Sequence, residues 1–388
     1  MNSRQPTLTC ISEFSDFMTL ADQWNALVEK STGKSVFLRH EWFEAAWQWR
    51  QHSSELCILT VHQDDVLIGI CPLVKTRVLK NKLSLRALEF LTIPDTQFCD
   101  IIAAPDEKPL VLEAFSRWLK QTRRSWDTLN LSYLPNTSPT SESLPAILQK
   151  AGLQASTSQV EQNPYIELQS NWDEFYKGCS RRLKKGNNLI RNKIQRAGDV
   201  RLEQAQTPEE VRNALKVLAT LSSQSWKQTT NTTFDNAGPK AFIERLTSLA
   251  IQQNWASLWI LYLDDKPLAA EYQLIYDGDV FALRSDFDEK AGDLSPGSYL
   301  NWQLLERLFG QQFEQQMDQP LKRYYMGPGK NAYKKRWTKI SVPIHRVTGY
   351  NTSLRGRIIY SIDQYIRPWK QQCSQWLTPN TEKKDSTK

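Results

Sequence analysis

Paired histidines and paired cysteines are what this sequence most plainly lacks. Its four histidines (His40, His52, His62, His345) stand apart from one another, and its six cysteines (Cys10, Cys57, Cys71, Cys99, Cys179, Cys373) include no CxxC pair. That leaves no ligand spacing for a structural zinc site, so no metal is expected, and most of the cysteines are expected to be reduced, buried small hydrophobes. Long apolar runs are missing too. The strongest, Leu258-Trp259-Ile260-Leu261-Tyr262-Leu263, falls far short of the roughly 20 residues a membrane span needs. The first residues, Met1-Asn2-Ser3-Arg4-Gln5-Pro6, lack the basic-then-apolar order of a secretory signal, which makes the cytoplasm the expected compartment. Glycine is scarce, with 15 in 388 residues, against a low-complexity or fibrous chain.

What is present is a globular composition: 40% apolar, 23% charged, mean hydropathy -0.54, and enough length for two cores. Fourteen Trp, thirteen Tyr and fourteen Phe supply aromatic mass for cores and grooves. The net charge of +7 is modest but uneven. Nine basic residues lie between Lys177 and Arg201 against one acid, Asp199, and six lie between Lys322 and Arg336 against none. Such clusters call for an anionic partner: a phosphate-bearing cofactor, a phospholipid surface or a nucleic acid.

The chain repeats itself. Ile58–Ile70 reads as strand, Asp64-Asp65 turn, strand, and Leu258–Ala270 reads the same way around Asp264-Asp265. Helical spacing precedes each, through Trp42, Phe43, Ala46, Trp47 and Trp49 in the first and Phe242, Leu246, Leu249 and Ala250 in the second. A duplicated helix-hairpin unit follows, with the boundary between Ser132 and Ser170. The expected division is 1–160, 161–350 and a basic amphipathic segment and disordered tail, 351–388. In the second half the patterns predict strand 165–168, a basic helix 172–198, a strand near 200–204, helices 208–223 and 238–253, hairpin 257–275, strand 279–285, helix 297–317 and strand 322–326. The expected class is mixed α/β (α+β).

Three segments carry a resemblance to a known family. Ser180-Arg181-Arg182-Leu183-Lys184-Lys185, then Ser295-Pro296-Gly297, then Met326-Gly327-Pro328-Gly329-Lys330-Asn331-Ala332-Tyr333-Lys334 are together similar, in order and spacing, to the CelD-like (BioF-like) acetyltransferase domain. That family has the GNAT fold and is related to the Fem aminoacyltransferases, so the resemblance implies two tandem GNAT-like N-acyltransferase folds. It also implies an acyl-CoA co-substrate, although the Gly-rich pyrophosphate loop of single-domain GNAT enzymes is absent. A longer acyl or aminoacyl donor stays open.

Transfer from a thioester needs a base, a proton donor for the leaving group and polarisation of the carbonyl. Asp286 or Glu271 is the candidate base, against turn formation for the neighbouring Asp288 and an outward strand position for Glu271. Tyr299, Tyr333 and Lys334 are the other catalytic candidates. Ser295-Pro296-Gly297 has the form of a helix start, whose free N–H groups suit a phosphate or an oxyanion, or merely cap the helix. Gly327, Gly329 and Lys330 in the following loop, with Arg181, Arg182 and Lys185 on the basic helix, are the candidate donor-binding residues, against a solvated turn and a solvated helix face. The acceptor expected is an amine or hydroxyl of an envelope polysaccharide or lipid precursor. A Fem-like alternative uses aminoacyl-tRNA, and a third reading is a non-catalytic module of a polysaccharide-synthesis complex. Beyond residue 350, Leu354, Ile358, Ile359, Ile362, Ile366, Trp369, Cys373 and Trp376 recur at helical spacing among basic residues. That segment either lies on the inner face of the cytoplasmic membrane or docks on the protein body.

Overall fold

Both Asp-Asp turns fold alike. Asp64 and Asp65 have φ of 48° and 65°, and Asp264 and Asp265 have 46° and 64°. Two consecutive left-handed residues make the type I′ turn that matches the twist of a hairpin, and aspartate tolerates that conformation better than most side chains. The computed structural model describes residues 5–223, 233–234, 236–311, 319–329 and 331–366.

The first half runs β1 (Thr7–Ile11), α1 (Phe14–Met18), α2 (Ala21–Lys30), α3 (His40–Arg50), β2 (Ser54–Gln63), β3 (Val66–Lys80), β4 (Leu83–Phe90), β5 (Ile102–Ala103), α4 (Lys108–Gln121), β6 (Thr128–Pro135), α5 (Pro139–Lys150) and β7 (Gln154–Glu167). The second runs α6 (Trp172–Gly178), α7 (Arg181–Ala197), β8 (Val200–Gln204), α8 (Pro208–Ser223), α9 (Ala237–Gln252), β9 (Ala256–Leu263), β10 (Lys266–Tyr276), β11 (Asp279–Phe287), α10 (Pro296–Gln311), β12 (Arg323–Tyr325), α11 (Lys334–Trp337) and β13 (Ser341–Tyr350), and α12 (Leu354–Ser361) follows.

The strands join in one sheet, ordered β1-β2-β3-β4-β6-β13-β7-β12-β11-β10-β9-β8, with β5 on β3. Read from either end, this order is the same: β1 corresponds to β8, β2 to β9, β3 to β10, β4 to β11, β6 to β12 and β13 to β7. The chain is thus two tandem copies of one mixed α/β fold, related about an axis between β13 and β7. The last strand of each half sits across that axis. β7 pairs with β12 and β13, and β13 pairs with β6 and β7. Residue 160 lies inside β7, so the 160/161 division cuts a strand that serves both halves.

The repeated helices meet at the same axis. α3 packs on α9, with the Trp42 and Phe242 rings 5.4 Å apart and edge-on, and Arg245 Nε donates to the buried Glu44 carboxylate at 2.6 Å. One buried apolar cluster runs through both halves, from Phe17 and Trp24 to Phe281 and Tyr325. A second fills the space between the sheet and α10, around Leu300, Leu304, Leu305 and Leu308.

One expectation changes, and one open alternative is narrowed. The basic helix 172–198 is two helices. Cys179 takes an extended backbone (ψ 152°), and Ser180 caps α7 by accepting the Leu183 N–H on Oγ at 3.2 Å, a stronger local signal than the continuing apolar period. In the C-terminal segment, α12 docks on the body: Ile359 is buried with Leu85 and Tyr350, while Leu354 stays exposed. Tyr350 donates to Asp363 at 2.8 Å. Positions 312–317 of the expected 297–317 helix lie outside the described residues, as do Trp369, Cys373 and Trp376. No helix among the described residues is long and apolar enough to cross a membrane.

Candidate active site

The site begins where two strands part. β11 and β12 run parallel and pair only from Asp279–Phe281 to Arg323–Tyr325. Beyond that point they diverge, and a cavity of about 970 Å³ opens between Ala282–Phe287 on one side and Met326–Pro328 on the other. Clefts of this size hold small ligands. Gly327 turns the second rim with φ 80°, and the start of α10 supplies another wall. Ser295 sits there in left-handed backbone (φ 52°), and its carbonyl accepts the Ser298 and Tyr299 N–H groups at 3.1 Å each. The first turn of α10 is thus held by the Ser295 backbone carbonyl. Gly297 keeps the helix close to β11, since a Cβ there would lie 3.2 Å from the Phe287 ring.

A polar cluster occupies the floor. The Glu271 carboxylate, 3% exposed, accepts from the Tyr324 hydroxyl at 2.8 Å and from Gln273 Nε2 at 2.8 Å. Burial pushes its carboxyl up, only partly offset by Gln273, Tyr324 and Ser285. Glu271 therefore points inward rather than outward. Asn301 on α10 donates to the Tyr324 oxygen at 3.4 Å. Burial first, and then the Glu271 charge, push the Tyr324 and Tyr333 phenols up, so both stay protonated. Tyr333 is 44% exposed as a residue, yet burial still dominates the shift of its phenol, which makes the hydroxyl the enclosed end of the side chain.

Lys334 opens α11 and reaches back under the glycine loop. Its Nζ donates to the carbonyl oxygens of Gly327 at 2.7 Å and Pro328 at 3.1 Å, which leaves one N–H for the cavity. Burial holds its ammonium down at about 8, opposed weakly by Glu161. At the mouth stand Arg182 and Lys185 from α7 and Arg336 from α11.

The first half supplies the remaining wall. Asp95 Oδ2 accepts from Arg284 Nη2 at 2.6 Å and Nε at 2.9 Å, with both side chains almost fully buried. Gln97 Nε2 donates to the Ala282 carbonyl at 2.8 Å, just where β11 has lost its partner, and its Oε1 accepts from Asn163 at 2.9 Å. Those two residues belong to segment 91–101, which has a second role. In the first half β4 and β6 also pair in parallel for only three residues, Ala87–Glu89 with Thr128–Asn130. There the gap is filled: Leu91, Ile93, Phe98, Cys99 and Ile101 are buried, and the Cys99 N–H bonds the Tyr133 carbonyl at 2.9 Å. The cleft that is open in one half is plugged in the other.

Of the expected site residues, Glu271, Tyr333, Lys334, Ser295, Gly297, Gly327, Arg182 and Lys185 come together around this cavity. Asp286 and Tyr299 are buried but do not line it, and Tyr299 packs edge-on against Trp302. Gly329 and Arg181 lie off the lining, and Lys330 lies outside the described residues. Asp288 forms the turn before α10, accepting the Lys290 N–H at 2.9 Å and pairing with Lys266 at 3.0 Å. Tyr324, Asn301, Asp95, Gln97 and Arg284 were not singled out in the sequence. Only Tyr324 had a signal available, its alternation along the strand 322–326. Among the described residues no cluster of three His, Cys, Asp or Glu is placed to hold a metal.

Residues 183–335, which contain the parted strands, the α10 start and the glycine loop, match the family model described as an acetyltransferase (GNAT) domain. That stretch of the chain is similar to the GNAT acetyltransferase domain. No curated protein matches this chain in sequence. Among solved structures it is similar to FemX, at 11% identity and a TM-score of 0.58, covering 92% of this chain and 99% of that one. It is also similar to the C-terminal domain of a putative lysylphosphatidylglycerol synthetase from Agrobacterium fabrum, at 11% identity and a TM-score of 0.51, covering 89% and 95%. A conserved protein of unknown function from Bacteroides thetaiotaomicron gives 10% identity and 0.51, covering 89% and 100%. At these identities the likeness concerns the fold.

Proposed function

We propose that this protein transfers an acyl group from a CoA-type thioester to an amine or hydroxyl acceptor in the cavity between β11 and β12. The observation that carries this reading is the buried Glu271 carboxylate on the cavity floor, held by Tyr324 and Gln273. Residues 161–350 carry the chemistry, and residues 1–160 contribute the Asp95–Gln97 wall.

Burial makes Glu271 a stronger base than an exposed carboxylate, which suits it to take the acceptor's proton as the nucleophile adds to the thioester carbonyl. The remaining N–H of Lys334 polarises the carbonyl oxygen and stabilises the charge it gains. As the C–S bond breaks, the Tyr333 phenol is the proton source for the departing thiolate. Arg182, Lys185 and Arg336 are at the mouth, where the phosphates of a CoA donor lie outside the reacting centre. The acceptor is read as an envelope polysaccharide or lipid precursor met at the inner membrane face, in line with the resemblance of the 180–185, 295–297 and 326–334 segments to the CelD-like domain.

The test is mass spectrometry of purified protein with a panel of acyl-CoA thioesters and an envelope extract. Wild type should release CoA and yield an acylated product, with Glu271→Gln about 10²–10⁴-fold slower. Absence of transfer from every thioester would sink the reading. A second reading, transfer from aminoacyl-tRNA, is favoured by one observation: the cations of α7 continue beyond the cavity through Arg191, Lys193 and Arg196, all exposed. Transfer from aminoacyl-tRNA and none from acyl-CoA would establish that alternative.

A further inference from the structure

At the far edge of the sheet from the cavity, two thiols face each other. In the β1–β2 pairing Cys10 lies opposite Leu59, so Cys57, two residues away on β2, shares its face one diagonal step along. The Cys10 and Cys57 sulfurs are 3.4 Å apart. Their surroundings differ sharply. Cys10 is exposed, while Cys57 is wholly buried in the core. Cys10 borders a surface depression whose other lining includes Lys75, Arg123 and Arg124, three cations and no acid. Of the other described cysteines, Cys71 and Cys99 are buried, and Cys179 Sγ donates to the Phe175 carbonyl at 3.6 Å.

We propose that Cys10 and Cys57 form a thiol modification site, in which a peroxide oxidises Cys10 and Cys57 resolves it to a disulfide. The thiolate is the reactive form of a cysteine. The Cys57 S–H donating to it, with help from Lys75, holds the Cys10 thiol down at about 7, while the contact with Cys10 and burial push the Cys57 thiol up and keep it protonated. One sulfur is thus the attacker and the other the proton-bearing resolver. In the first step the Cys10 thiolate attacks a peroxide oxygen. The O–O bond breaks, the sulfur becomes a sulfenic acid, and the departing hydroxide takes a proton to become water. In the second, the Cys57 sulfur attacks the sulfenic sulfur, an S–S bond replaces the S–O bond, and the hydroxyl leaves with the Cys57 proton as water. Two hydrogens leave the protein, and one hydrogen peroxide becomes two waters.

Closure needs a shift of the β1 backbone, because diagonal neighbours stand about 7–8 Å apart at Cα. A disulfide needs its sulfurs at about 2.05 Å, closer than they stand, and the adjustment falls on β1, a five-residue edge strand paired only with β2. The bond would fasten the first strand to the sheet without touching the candidate active site.

The experiment treats the full chain with equimolar hydrogen peroxide and maps every cysteine by peptide mass spectrometry, with a dimedone-type trap in parallel. Wild type should lose two hydrogens in a Cys10–Cys57 linked peptide, recovered on reduction with dithiothreitol. Cys57→Ser should instead accumulate the trapped sulfenic acid at Cys10, and Cys10→Ser should leave Cys57 unmodified. Should Cys57→Ser fail to fold, the wild-type map and Cys10→Ser still decide. A Cys10 that reacts no faster than Cys179, or that passes to sulfinic acid while Cys57 stays a free thiol, would overturn the proposal.

Discussion

Glu271 and Lys334 share one cavity but respond to pH in opposite senses. Burial raises the Glu271 carboxyl, so the folded chain prefers it protonated. Its stabilising contribution is complete below the ordinary glutamate value of about 4.3 and is lost as pH rises through the raised folded value. Glu271→Gln should therefore gain stability relative to wild type as pH climbs through that interval. Urea unfolding of both proteins across it is the check, and parallel curves would contradict the burial argument. Lys334 is lowered to about 8 against an ordinary value near 10.4, so the unfolded chain binds the proton more tightly between those values. Its contribution to stability is present above the ordinary value and lost as pH falls through about 8. Activity runs the other way, because the ammonium that polarises the carbonyl is present only below about 8. The rate should fall above that pH in wild type. Lys334→Met should be slow throughout and should lack that limb, and a pH profile of the two proteins tests it.

The hairpins compare one element in two settings. Both turns are type I′, but Asp264 Oδ1 also accepts the Asp199 N–H at 2.8 Å, and its carboxylate lies where a Cβ at Gly198 would go. Among the described residues, the Asp64 carboxylate makes no corresponding bond. Asp64→Gly should change stability by less than about 0.5 kcal/mol, and Asp264→Gly should cost about 1 kcal/mol more, read from paired thermal unfolding curves. The basic helix offers a second contrast. Glutamine at Arg181, Arg182, Lys184 and Lys185 together should leave stability nearly unchanged, because none of the four is buried, while weakening donor affinity and flattening its salt dependence. Unchanged CoA binding at several salt concentrations would leave these residues as a solvated face. This is also the scale at which the sequence was most readable. The Asp-Asp turns, α8 and the hairpin limits followed from periodicity and turn chemistry, and Ser180 held a cap signal that should have divided the basic helix. The second basic run was less legible. Arg323 is bound to Asp279 and Lys322 to Asp277, so part of that charge serves the fold, and nothing local distinguishes those residues from Arg336 at the cavity mouth.

At the scale of the whole molecule, the exchange of β7 and β13 had no sequence signal, since pairing across nearly 200 residues leaves no mark on either strand. The same holds for Asp95, an ordinary loop aspartate until the fold sets it against Arg284. That pair makes a strong demand on the assembly: removing one partner of a buried ion pair costs about 3–5 kcal/mol, whereas replacing both with apolar groups can be neutral. Asp95→Ala should thus destabilise the chain more than the double change of Asp95→Ala with Arg284→Met, and a double-mutant cycle in urea measures the difference. The exchanged strands extend the argument to the halves themselves. A chain ending at 160 would keep only the start of β7 and would leave β6 without β13, while 161–350 would keep β13 without most of its partner. Each fragment would expose an unpaired sheet edge, which favours association with any strand that fits. Expressed alone, 1–160 and 161–350 should aggregate or stay unfolded, and expressed together they should co-purify. The intact protein should unfold in one transition, coincident by tryptophan fluorescence and circular dichroism, because the α3–α9 contact and the central strands cannot be lost from one half alone. Two separated transitions, or a soluble folded 161–350 fragment, would mean that the exchanged strands add little and that the halves are independent units joined by a linker.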